Sequence, residues 1–159
     1  CIAISIKKEA PGSRVTAIDF CSDALHTAKK NAACLKTDID FREMDFLDEK
    51  KWKTLGIYDA IISNPPYIPI QEKEKLAPHV RDREPHSALF PPGEDALIFY
   101  RKIAAFGREH LSPQGIILLE LHAGLAGGTQ KIFKGSGYTA EIRTDMFGKE
   151  RMLIATRNP

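Results

Sequence analysis

Asn64-Pro65-Pro66-Tyr67 is the stretch of this chain whose residue types could do chemistry. It follows the apolar run Tyr58–Ser63, which reads as a buried strand. Two adjacent prolines cannot extend a strand, because each lacks the N–H a ladder needs and each fixes φ. The chain must therefore leave the sheet at Asn64 in a stiff turn. That turn presents an amide side chain, a backbone carbonyl and an aromatic ring at the carboxyl end of a strand, where open α/β sheets bind ligands. An amide or aromatic-amine nitrogen is a poor nucleophile, since its lone pair is conjugated. Two acceptors aimed at its two N–H groups would hold it and favour the nitrogen as it turns tetrahedral. Asn64 Oδ1 and the Pro65 carbonyl can be those acceptors, and Tyr67 can stack on the planar group. Methyl transfer from a sulfonium then needs in-line placement and no strong base.

Two further acids close neighbouring strands. Asp19 ends the β-rich run Arg14–Phe20 and precedes a helix that Ser22 is placed to cap, with Asp23 in its first turn. In nucleotide-binding α/β folds an acid here accepts both ribose hydroxyls; an Asp that helps cap the helix is the competing reading, and both stay open. Asp45 and Phe46 follow the run Ile39–Met44. They can bracket an adenine by hydrogen bonding and stacking, or serve as a turn acid and a core aromatic.

The elements that position these residues alternate in type. Helical spacing covers 2–9, about 22–36, 94–111 and, more weakly, 125–135, where Gly127-Gly128 interrupts it. Strand patterns cover 14–20, 39–44, 58–63 and 116–121. Two final strands, 139–144 and 151–156, flank the turn Phe147-Gly148-Lys149, and Ser112–Gly115 reads as a turn. The proline-rich segment from Pro65 to Gly93 is too long for a passive loop and reads as a lid or substrate-facing insertion. The pattern predicts one α/β domain with a mainly parallel sheet and a C-terminal antiparallel hairpin.

Composition narrows the class of function. The chain has 159 residues, 43% hydrophobic and 28% charged, with a net charge of +2. That balance is ordinary for a globular protein and does not argue for a nucleic-acid partner. Its cysteines, Cys1, Cys21 and Cys34, show no metal-ligand spacing, and no metal is expected. An odd count suits reduced thiols in a cytoplasm. No apolar stretch reaches a membrane-spanning length. The first residues, Cys1–Lys8, already follow a helical pattern with no initiator methionine, so the chain is expected to be part of a longer protein.

These residues together resemble the HemK/PrmC family, S-adenosylmethionine-dependent methyltransferases that modify the glutamine of the Gly-Gly-Gln motif in peptide chain release factors. The resemblance runs through Cys1–Ser5, Ala17-Ile18-Asp19, Ile61–Ile68, Arg83-Glu84-Pro85 with Ala88-Leu89, and Gly148–Arg151. It implies a Rossmann-like class I methyltransferase fold, with 1–159 as the catalytic domain lacking the family's first strand and glycine-rich loop. It implies that Asp19, Asp45, Phe46 and Asn64 bind the cofactor. Asn64, Pro65, Pro66 and Tyr67 would form the catalytic turn and grip the substrate, with Glu84 and Pro85 at the mouth of the glutamine pocket. The expected partner is a release factor, with no membrane and no nucleic acid as direct substrate. The same turn occurs in adenine-N6 and guanine-N2 methyltransferases, which gives the first alternative. A non-catalytic binding module on the same fold is the second.

Overall fold

The computed structural model describes residues 1–158. They form two compact units, one spanning Cys1–Leu55 and a second from Gly56 onward.

In the first unit, α1 (Ile2–Glu9) precedes β1 (Thr16–Asp19), α2 (Ser22–Cys34) and β2 (Asp40–Glu43), and a 3-10 turn spans Glu49–Thr54. Strands β1 and β2 are parallel, with Thr16 opposite Asp40 and Asp19 opposite Glu43. Ile4, Leu25, Ala32, Met44, Trp52 and Leu55 are buried. Helix α2 departs from expectation at both ends. Cys21 is its N-cap and Ser22 its first helical residue. At the other end the Thr37 N–H reaches the Ala32 carbonyl and the Lys36 N–H the Ala33 carbonyl. This is a Schellman closure, with Lys36 at φ 51° in the position glycine usually fills. It stops the helix at Cys34, before the predicted 36.

In the second unit, β3 (Tyr58–Ser63) leads into the proline-rich segment, which carries a 3-10 turn (Ile70–Lys75) and the one-turn helices α3 (Pro78–Arg81) and α4 (His86–Leu89). Then come α5 (Ile98–His110), β4 (Leu111–Glu120), a 3-10 turn (Ala123–Leu125), α6 (Ala126–Gly135), β5 (Tyr138–Thr144) and β6 (Glu150–Arg157). The sheet order is β3-β4-β6-β5. Parallel pairing joins β3 to β4, while β6 is antiparallel to both β4 and β5. The expected C-terminal hairpin is therefore present, inserted so that β6 lies against β4.

Three boundaries differ from the sequence reading. Tyr58 faces Leu111 but Ala60 faces Ile116, so residues 112–115 bulge out of a strand that starts at Leu111. Pro113, which has no N–H to give the ladder, sits in that bulge. Helix α5 starts at Ile98 rather than Glu94, because the Asp95 carboxylate takes the Leu97 N–H at 3.0 Å and pairs with Arg101. Helix α6 runs through Gly127-Gly128 without a break.

Strands β4, β5 and β6 bury alternate residues, as a half-covered pleated surface requires, whereas β3, expected to be a buried strand, has no buried residue and leaves Ile62 exposed. Ile117, Leu119, Leu121, Leu153, Ala155, Tyr138 and Ala140 are buried, as are Tyr100, Ile103, Phe106 and Phe133 of α5 and α6. Gly107 sits where α5 crosses this face. A β-carbon there would stand 2.6 Å from Tyr138 Oη and 2.8 Å from Ile117 Cδ1. Both neighbours are buried and Tyr138 Oη is tied to the Ala104 carbonyl at 2.9 Å. Gly107→Ala is expected to destabilise the protein by about 1–3 kcal/mol, an overpacking cost read from urea unfolding. Among the described residues, no helix is long and apolar enough to cross a membrane.

Candidate active site

The sequence-predicted site residues fall into two groups, one in each unit. In the second unit β3 ends at Ser63 and the chain turns through Asn64 and the two prolines. Asn64 is exposed, Pro65 is buried, and Pro66 and Tyr67 are half-buried. The turn is thus anchored by its first proline and offers its amide to solvent.

Tyr67 is held by a partner far away in sequence. Its hydroxyl donates to Glu120 Oε1 at 2.8 Å. The register explains the meeting: Ser63 lies opposite Leu119, so Glu120 stands at the strand end beside the turn. The Tyr100 hydroxyl donates to the Glu120 backbone carbonyl at 3.1 Å, so this residue is fixed through both side chain and main chain. Burial, followed by the Glu120 hydrogen bond and charge, pushes the Tyr67 phenol from 10.0 up to about 12. The positive charge of Arg151 opposes this shift and the negative charge of Glu84 adds to it. Tyr67 is consequently a neutral hydrogen-bond donor at physiological pH, suited to orienting and stacking rather than to proton abstraction.

The Tyr67 ring also lies 6.2 Å from the His122 ring, tilted by 57°. His122 Nε2 is 3.3 Å from Glu72 Oε2 on the proline-rich segment. His122 Nδ1 is buried and has no hydrogen-bond partner among the described residues. Backbone bonds along the segment include one that joins its two ends and one within its middle. The Ile68 N–H donates to the Leu89 carbonyl at 3.1 Å, and the Glu84 N–H to the Val80 carbonyl at 3.1 Å. Glu84 and Pro85 are both exposed, and Pro85 caps α4.

In the first unit, the Met44 N–H donates to the Asp19 carbonyl at 2.9 Å, which sets the ends of β1 and β2 side by side. Asp19 and Asp45 leave the sheet there, both exposed. Asp19 Oδ1 accepts the Cys21 N–H at 2.9 Å, so it does help start α2. That bond also fixes the carboxylate, whose second oxygen can face a ligand. Asp45 Oδ1 accepts the Leu47 N–H at 2.9 Å. Phe46 is half-buried, its ring 5.4 Å from Trp52, whose Nε1–H donates to the Phe46 carbonyl at 2.9 Å.

A cleft of about 530 Å³, lined by Arg108, Ser136, Tyr138, Arg157 and Asn158 among others, lies where β5 starts and β6 ends. It contains none of the predicted residues. Glu120, His122, Glu72 and Tyr100 were not anticipated as site residues. The available signal was Glu120, the one acid inside the otherwise apolar run 116–121.

Comparison with known proteins is consistent across sequence and structure. The profile of the methyltransferase small domain family matches residues 1–118. A release factor glutamine methyltransferase of Bacteroides thetaiotaomicron is 39% identical over 158 residues, covering 99% of this chain and 56% of that protein. One of Flavobacterium psychrophilum is 36% identical over 154 residues, covering 96% of this chain and 53% of that protein. The chain thus spans about half the length of the curated relatives it matches. A methyltransferase of Pyrococcus furiosus shares the fold, with a TM-score of 0.66 at 17% identity over 97% of this chain and 66% of that one. The α/β methyltransferase fold and the kinship with the HemK/PrmC family expected from the sequence are borne out by these matches. With its profile match covering most of its length, this chain belongs to the methyltransferase small domain family.

Proposed function

We propose that the protein containing this chain transfers a methyl group from S-adenosylmethionine to the side-chain amide nitrogen of the glutamine in the Gly-Gly-Gln motif of peptide chain release factors. The observation that carries this reading is the Asn64-Pro65-Pro66-Tyr67 turn, anchored by buried Pro65 and by the bond from Tyr67 to Glu120. The names of the relatives point the same way.

The residues present suit the cofactor. A diol is matched by a carboxylate already oriented by a backbone N–H, as Asp19 is. An adenine is matched by the Asp45 carboxylate and the Phe46 ring. When bound, the cofactor supplies an electrophilic methyl on a sulfonium. The chain's own residues do the remainder. Asn64 Oδ1 and the Pro65 carbonyl accept the two N–H groups of the target amide and aim its nitrogen. The Tyr67 ring stacks on the amide plane, with its hydroxyl engaged by Glu120. No residue needs to remove a proton first, because the nitrogen becomes acidic once methylated. Glu84 and Pro85 line the mouth of the pocket. A release factor acts in translation, so the cytoplasm is the place of work in this reading.

The complete reading frame, incubated with labelled S-adenosylmethionine and purified release factor, is expected to place one methyl group on the motif glutamine, identified by peptide mass spectrometry. An unmodified glutamine overturns the proposal, as does label found instead on RNA or DNA.

A further inference from the structure

The turn joining β5 to β6 carries two large apolar side chains almost wholly in solvent: Met146 is 90% exposed and Phe147 is 81% exposed. The turn holding them is tightly built. The Asp145 N–H donates to the Lys149 carbonyl at 2.8 Å, and the Gly148 N–H to the Asp145 carbonyl at 3.0 Å. Asp145 Oδ1 accepts the Phe147 N–H at 2.8 Å and the Lys149 N–H at 3.0 Å. Gly148 supplies the left-handed residue, at φ 75°. These backbone bonds hold the Asp145 carboxyl below its ordinary range, so the clamp persists at neutral pH.

Isolated exposed apolar residues need no explanation, but a large adjacent pair on a rigid turn does. Aromatic rings and methionine are enriched at protein interfaces, and a turn whose backbone is already held loses little main-chain freedom on contact. The location adds a second argument. Met152 pairs with Glu120, and the Leu121 N–H donates to the Arg151 carbonyl at 2.8 Å. The turn therefore rises from the end of the sheet where Tyr67 and Glu120 meet. Charge supplies a third. Asp145 and Glu150 balance Lys149 and Arg151, so the turn offers no cationic stripe to a phosphate backbone.

We infer that Met146 and Phe147 form a preorganised docking prong for a protein substrate, packing on apolar side chains of the release factor that flank the target glutamine. This rests on the proposed function and adds to it the surface that selects the folded substrate. The double variant Met146→Ser, Phe147→Ser, made in the complete protein, is expected to raise KM for release factor about tenfold. The kcat at saturating release factor and the Kd for S-adenosylmethionine are expected to stay within twofold. An unchanged KM, or a lowered kcat at unchanged KM, overturns the prong and leaves the function standing. A wild-type protein that does not methylate release factor overturns the function, and the prong with it.

Discussion

Replacing Asn64 with alanine is expected to lower kcat for the proposed glutamine methylation by about 10²- to 10³-fold, the usual cost of losing one preorganised hydrogen-bonding group aimed at developing charge. The fold should not notice. Asn64 is exposed and lies outside the strand ladder, so thermal stability is expected to match wild type. In the proposed mechanism the variant loses one of two acceptors for the amide hydrogens, and with it the alignment of the nitrogen. The loss falls on the transition state more than on ground-state binding, so KM for release factor should move far less than kcat. Rapid-quench measurement of a single turnover, under saturation with both substrates, separates the methyl-transfer step from product release. A single-turnover rate within threefold of wild type would remove Asn64 from the reaction.

The second large effect is expected at Glu120, which in the proposed mechanism acts by holding Tyr67. Glu120→Ala leaves the Tyr67 hydroxyl without its acceptor and frees the ring, and kcat/KM should fall about 10²-fold, as for a small misplacement of a positioning group. Glu120→Gln keeps an acceptor of the same shape and should recover most of that activity. The two variants also differ from wild type in the titration of Tyr67. Its phenol stands near 12 because of burial first and Glu120 second. Removing the carboxylate should bring it part of the way back toward 10, visible in the carbon-13 shift of the labelled tyrosine ring. The linked stability has a definite sign. A phenol whose folded value exceeds its unfolded value stabilises the fold fully below about pH 10 and loses that contribution as pH rises to about 12. In Glu120→Gln the loss is expected to be complete at a lower pH. Identical Tyr67 titration in all three proteins would show that the bond does not form in solution.

Local patterns in the chain were enough to locate the turn, because its meaning is carried by four adjacent residues and one preceding strand. The hairpin was readable for the same reason: β5 and β6 are neighbours in sequence, and Gly148 marks the turn between them. The residue that holds Tyr67 was not readable, since Glu120 is 53 positions away and joins the site only through the β3–β4 register. The β4 boundary was misread on local grounds. Ser112–Gly115 has the composition of a turn, and it does leave the ladder, but it does so as a bulge inside a strand that had already begun at Leu111. At α5 the error had the opposite cause. Apolar spacing extends back past Ile98, yet Asp95 captures the backbone first and sets the start. At Asp19 one of the two competing readings is seen directly, because its Oδ1 accepts the Cys21 N–H and assists the helix start.

The proline-rich segment between β3 and α5 bears on how such a protein changes its substrate. Its two ends are fixed by the sheet and by α5, so in polymer terms it is a closed loop. The entropy lost on closing a loop grows only with the logarithm of its length. Adding ten residues to a segment of about thirty-five costs about 0.2 kcal/mol on that scale. In the proposed mechanism a mutation in the strand-end turn, by contrast, strikes the methyl-transfer step directly. Insertions at exposed positions of this segment, away from buried Leu89 and Phe90, are therefore expected to cost little stability, and in the proposed reading this is where a lineage can alter what it recognises while the methyl-transfer step stays the same.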